Sequence, residues 1–345
     1  MKSVLTAKEL VFRLVVTANC VLLIMFLCSF VGSQNIEFKN VIQGPLLESG
    51  QINMDYEVYL LRLSRIFLAA IVGAALASAG VVLQAILRNP LADPYMLGIS
   101  SGAGLGAMLA IVFAGAMWTF GGISSITLCA FVCALTTVWV VWLLGGAGRR
   151  GVMSGLLLAG VVVNAFLSAV IMFLNSIAAA GQIQTTLLWL MGNIKEMDNY
   201  SLLWVCAGIV LVGILTLLRF SPALNLISFS SQEARSAGVN VKWLYQGCFA
   251  ICALITAVAV SLSGLVGFVG LIVPHGVRLC SGPDHRQLIP LSALVGAAFV
   301  VLADTVSRIA APPAVVPVGV VTALAGGPFF LFLLVRYSGR LVGGK

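Results

Sequence analysis

Charge is scarce in this sequence. Asp, Glu, Lys and Arg make up 9% of its 345 residues, against roughly 25% in an ordinary soluble domain. A soluble fold needs polar cover for its surface, and with 61% hydrophobic residues the chain has too little. Histidine is nearly missing: His275 and His285 are the only two, and both read as interfacial polar contacts rather than metal ligands. There is no GxxxxGK[ST] nucleotide loop anywhere, so a nucleotide used by this protein must be bound by another chain. No face gathers His, Asp, Glu and Cys as an integral membrane enzyme would require. Charges are also missing from the middle of the apolar runs, where each would cost about 2.5–3.5 kcal/mol on insertion. Proton- and sodium-coupled carriers accept that cost to bind their ion; this chain mostly avoids it.

Long apolar runs remain. A helix needs roughly 20 apolar residues to cross the hydrocarbon core. Ten candidates are present, near 11–32, 62–87, 95–116, 121–145, 152–176, 200–219, 242–262, 264–280, 289–310 and 318–336. Backbone in lipid must satisfy its own hydrogen bonds, so these runs are predicted to be helices. The first resembles a signal peptide in position. It is too long for one and lacks a clean cleavage site, so it reads as an uncleaved span. The expectation is an all-α polytopic membrane protein, with residues 1–345 as one transmembrane domain.

The net charge of +8 would suggest nucleic acid in a soluble protein; here the charges sit at the ends of apolar runs and set orientation instead. With alternating spans, one side collects Lys2, Lys8, Arg13, Arg88, Arg149, Arg150, Arg219, Arg235, Lys242, Arg278, Arg286, Arg336, Arg340 and Lys345. The other has Lys39, Arg62, Arg65, Lys195 and Arg308. The asymmetry predicts both termini in the cytoplasm.

Three connections are more than tight turns. Residues 33–61 form an external segment. Residues 182–198 contain an apolar stretch too short to cross, read as a short external helix. Residues 220–241 form the longest cytoplasmic loop, with two helices expected near 222–228 and 231–237. Ser221-Pro222 reads as an N-cap followed by Pro at the first helical position. Ser230 with Glu233 fits a capping box, and Gly238 fits the stop.

Residues 88–106, RNPLADPYMLGISSGAGLG, place Pro90 and Pro94 as breaks and glycines that permit close helix packing. Pro274 is expected to break or kink the eighth span. The cysteine pairs Cys129/Cys133 and Cys248/Cys252 each share a helix face; without a nearby His or carboxylate they read as packing residues. Inside the ninth span, Asp304 and Arg308 are four apart and positioned to pair. Ser78-Ala79-Gly80 in the second span and Ser261-Leu262-Ser263-Gly264 at the end of the seventh form a faint inverted echo. Arg62, Arg65 and Arg308 stand on the poorly charged side. They suit either snorkelling to headgroups or a landing surface for an acidic partner.

The stretches LRLSRIFLAAIVGAALASAG, LQAILRNPLADPYMLGISSGAGLG, LLLAGVVVNAF, GLVGFVGLIVPHGVRLCSGPDHR and LADTVSRIAAPPAVVPVGVVTALAGGPFFLFLL together resemble the FecCD family of ABC importer permeases, which serve iron-siderophores, haem and cobalamin. The resemblance runs from residue 61 onward. It implies the type II importer architecture with ten spans, a homodimer in a bacterial inner membrane, two cytoplasmic ATPase subunits and an external substrate-binding protein. It implies no cofactor in this chain, since ATP and Mg would sit on the ATPases. Arg62, Arg65 and Arg308 match positions that dock the binding protein. Asn89, Leu91, Met153 and Ser154 match a cytoplasmic gate. The 220–241 loop, with Ser230, Glu233, Arg235 and Gly238, resembles the segment that couples to the ATPases. An iron-siderophore is the expected cargo.

Overall fold

The computed structural model describes residues 6–342 except 33, 47–51, 114–118, 121, 146–151, 198 and 313. For residues 120, 152–154 and 332–342 only the backbone is described. Each apolar run predicted to be a span contains a helix. In chain order the helices are α1 (Ala7–Phe30), α2 (Phe38–Gln43), α3 (Met54–Ile86), α4 (Ile99–Phe113), α5 (Ser125–Leu144), α6 (Val152–Ile177), α7 (Ala180–Leu190), α8 (Tyr200–Arg219), α9 (Ser221–Phe229), α10 (Ser231–Ser236), α11 (Val241–Ser263), α12 (Val269–Ser281), α13 (His285–Ile309) and α14 (Val318–Val342). Seven of them, α1, α3, α5, α6, α8, α11 and α13, are long and apolar enough to cross a membrane. The described parts of α4, α12 and α14 are shorter apolar helices.

Strict all-α architecture needs one correction. Thr119–Phe120 (β1) and Ile123–Ser124 (β2) pair antiparallel between α4 and α5, with Gly122 in the left-handed region at the turn. That hairpin is why α5 begins at Ser125 rather than near 121.

Helix α3 is the axis. Its most apolar stretch is 78% buried, against 6% for α1 and 17% for α6, so α1 and α6 belong to the outer ring. It packs on α13, α11 and α12. Two of these contacts depend on glycine. A Cβ on Gly73 would collide with the Gly296 carbonyl on α13, and one on Gly80 with the Gly270 carbonyl on α12. The glycines opening α4 serve the same end, Gly102 and Gly106 meeting the backbone carbonyls of Cys133 and Cys129 on α5. Without a hydrophobic drive between helices in lipid, such close backbone approach is what holds a bundle together.

Four local expectations differ from the structure. Pro274 does not break α12, which runs through it; the break lies earlier, at Gly264–Phe268. There Gly264 has φ +67° and Phe268 φ +68°. The Tyr95 hydroxyl accepts from Val266 N–H at 3.1 Å and donates to Val266 O at 3.0 Å. One side chain from a short 3-10 turn, Pro94–Leu97, thus supplies both hydrogen bonds that the unwound residue has lost. The helix expected within 182–198 is α7, which stops at Leu190; residues 192–197 are not helical, with Gly192 at φ +77° and Asn193 N–H bonded to Ser263 O at 2.8 Å. Ser221 is not an N-cap: it is buried as the first residue of α9, which follows α8 across Phe220 alone. Ser230 does cap α10, but its hydroxyl accepts from Gln232 N–H at 3.1 Å rather than from Glu233.

Candidate functional site

Of the residues that the sequence singles out, Arg62, Arg65 and Arg308 gather at the N-terminal part of α3, and Asn89 and Leu91 lie just past its C-terminal end. At its N-terminal part Arg62 and Arg65 lie one turn apart, facing Asp304 and Arg308 on α13. Arg65 Nε donates to both Asp304 oxygens, at 2.9 and 3.1 Å, and Arg308 Nε reaches Asp304 Oδ2 at 3.2 Å. Arg308 also donates to Val31 O at 2.9 Å and Thr305 Oγ1 at 3.1 Å. Arg62 donates to Phe30 O at 3.1 Å and to Gln34 O. Asp304 has 0% of its surface exposed, and all three arginines are buried.

The three arginines are therefore turned inward in this structure, not displayed as an open landing surface. The physical reason is local. A carboxylate and several backbone carbonyls stabilise guanidinium groups that the end of a bundle would otherwise leave unpaired. The edge of the cluster is Glu196, whose side chain is 46% exposed and which meets Arg65 Nη1 at 3.1 Å. Arg65 Nη2 is buried without a hydrogen-bond partner among the described residues. Glu196 escaped the sequence reading, which placed it inside the 182–198 helix.

At the other end of α3, Asn89 makes a turn of its own: its Oδ1 accepts from Leu91 N–H at 2.9 Å, leaving Leu91 exposed. Met153 and Ser154, the other expected gate residues, lie where side chains are not described. Next to Asn89, Arg88 adopts φ +48°, uncommon for a residue with a Cβ. Its Nε donates to Ile227 O of α9 at 3.1 Å. The link after α3 and the 220–241 loop thereby meet, a pairing the sequence did not show.

In that loop Leu224, Ile227 and Ala234 are fully buried, while Phe229 is 81% exposed and Glu233, Arg235 and Gly238 face outward. Gly238 has φ +82°; its N–H bonds to Arg235 O and that of Val239 to Ala234 O, both at 2.9 Å. This is the Schellman closure expected of a C-terminal glycine. Nearby, Asp284 is partly buried, which raises its pKa, but hydrogen bonds from Arg286 and Asn225 outweigh that and bring it down to about 2. Asp93, beside the Pro94–Leu97 turn, is pushed up to about 6 by burial, against a smaller lowering from Tyr95 N–H. Among the described residues no group of three His, Cys, Asp or Glu could hold a metal ion.

The FecCD transport family profile matches residues 20–336. The chain belongs to that family. It is 41% identical to the cobalamin import system permease protein BtuC of Halobacterium salinarum over 79% of this chain and 72% of that one. It is 36% identical to the hemin transport system permease protein HmuU of Yersinia pestis over 91% and 94%. Among solved structures, an inward-facing metal-chelate type ABC transporter superposes with a TM-score of 0.75 at 30% identity, covering 92% of this chain and 98% of that one. The protein is thus an ABC transporter permease, a membrane component. Family membership does not change the local geometry: Arg65 and Arg308 remain packed on Asp304, and α9 remains tied to Arg88.

Proposed function

We propose that this permease imports a metal-chelate, in the finer reading an iron-siderophore, across a bacterial inner membrane. It acts as a homodimer of ten-span subunits with both termini in the cytoplasm. Two ATPase subunits engage α9 and α10 (the 220–241 coupling loop) through Ser230, Glu233, Arg235 and Gly238. An external binding protein approaches Arg62, Arg65 and Arg308 at the edge marked by Glu196, and α7 lies on that same external side. Asn89, Leu91, Met153 and Ser154 form the cytoplasmic gate. The observation carrying this reading is the similarity over nearly the whole chain to a metal-chelate type ABC transporter. The missing nucleotide loop supports it, since the motor must then lie on another polypeptide.

The test is uptake into proteoliposomes of radiolabelled iron-siderophore, with unlabelled cobalamin and haem as competitors. The expected result is uptake only with ATPase subunits and ATP present. Uptake by the purified chain alone, down a proton gradient, would overturn the importer reading. Preferential competition by cobalamin or haem would replace the siderophore and leave the importer in place.

A further inference from the structure

Helix α9 is held from two sides by bonds that the resemblance does not account for. On one side is Arg88. It occupies the position just past the C-cap of α3, where Asn89 N–H closes onto Gln84 O at 3.2 Å. Glycine is the usual residue there, because the left-handed conformation is disfavoured for residues with a Cβ. Held at φ +48°, Arg88 sends its Nε to Ile227 O at 3.1 Å. That carbonyl belongs to the last turn of α9, which has no onward helical donor and carries the negative end of the helix dipole. A strained backbone position that aims a cation at a helix end is an observed outlier of the kind that marks function.

On the other side is Asn225. Its Oδ1 accepts from His285 N–H at 2.9 Å and contacts His285 Nδ1 at 2.7 Å, while its Nδ2 donates to Asp284 Oδ1 at 2.8 Å. Asp284 is the N-cap of α13. The two contacts thus reach the near ends of α3 and α13, whose far portions carry the Arg65–Asp304–Arg308 cluster.

We propose that Arg88 and Asn225 are positioning residues that clamp α9 between the link after α3 and the turn before α13, so that displacing α9 moves both together. The proposal rests on the reading that α9 is where the ATPase subunits push. Movement of α9 then reaches Asn89 and Leu91 through Arg88, and the start of α13 through Asn225. A continuous bonded route of this kind is one physical means of carrying motion from a driven element to another.

The test uses the permease assembled with its ATPase subunits, and reads both nucleotide-driven uptake and amide hydrogen exchange. Arg88→Gly suits the left-handed backbone better than arginine, so melting temperature is expected to hold or rise. Uptake is expected to fall about tenfold or more, the scale of losing a hydrogen bond from a charged group, and exchange at 221–229 and 89–92 to quicken. Asn225→Asp, which sets two carboxylates against each other, is expected to lose uptake similarly. Adding Asp284→Asn to it restores a donor–acceptor pair and should recover most of the loss, the coupling signature of a double-mutant cycle. Wild-type uptake and unchanged exchange in Arg88→Gly, or no recovery in the double variant, would overturn the clamp. If the wild-type assembly shows no nucleotide-driven uptake, the importer reading fails instead; the exchange data on Arg88→Gly still decide the clamp.

Discussion

Asp304 has no exposed surface and faces two guanidinium groups at 2.9 and 3.2 Å. Removing one partner of a buried ionic set leaves the others uncompensated, at a cost of about 3–5 kcal/mol. Asp304→Ala is therefore expected to lower the melting temperature of the detergent-solubilised protein sharply, while Glu196→Ala, which deletes a half-exposed partner, changes it little. Equal effects from the two substitutions would contradict the burial described here. The sequence showed that Asp304 and Arg308 were four apart and free to pair. It did not show that Arg65, 239 positions away, takes the other side of the carboxylate, because hydropathy and spacing carry no information on contacts between distant segments. Nor did it show that the three arginines, which suit either snorkelling or docking by sequence, are buried.

At the scale of elements, the link between α3 and α4 and the break between α11 and α12 stabilise one another through Tyr95. Tyr95→Phe keeps the ring and removes the hydroxyl, leaving Val266 N–H and C=O unpaired. Each unsatisfied buried group costs about 1–3 kcal/mol, so a lowered melting temperature and faster exchange at 264–268 are expected. In the same link, Asp93 has its pKa raised by burial from 3.8 to about 6. Within that window the folded state binds more protons than the unfolded chain, so stability falls as pH rises from about 4 to about 6 and levels off above. Asp93→Asn still accepts from Tyr95 N–H. It should flatten that slope and melt higher than wild type above pH 6, which melting curves across the range would check. Proline and glycine punctuation made the 88–98 link legible in the sequence. The unwound 264–268 segment was not legible, since GLVGF is as apolar as any span and its non-helical backbone is paired by a hydroxyl distant in sequence.

For the whole molecule, orientation is the property most open to a direct check. Cys280 is exposed at the end of α12, on the side to which the Lys and Arg bias assigns the cytoplasm. With the other seven cysteines replaced, a membrane-impermeant maleimide should label Cys280 in inside-out vesicles and not in right-side-out ones. The reverse pattern would invert the topology and place α9 and α10 away from any cytoplasmic motor.

Membrane residence and the order of the helices follow from composition and run length, which are local properties that a chain carries whether or not it is folded. Which arginine meets which carboxylate, where α12 begins, and how α9 is gripped by Arg88 and Asn225 were decided only by packing. Each of these is a contact between segments far apart in sequence, set by geometry that hydrophobic patterning leaves open.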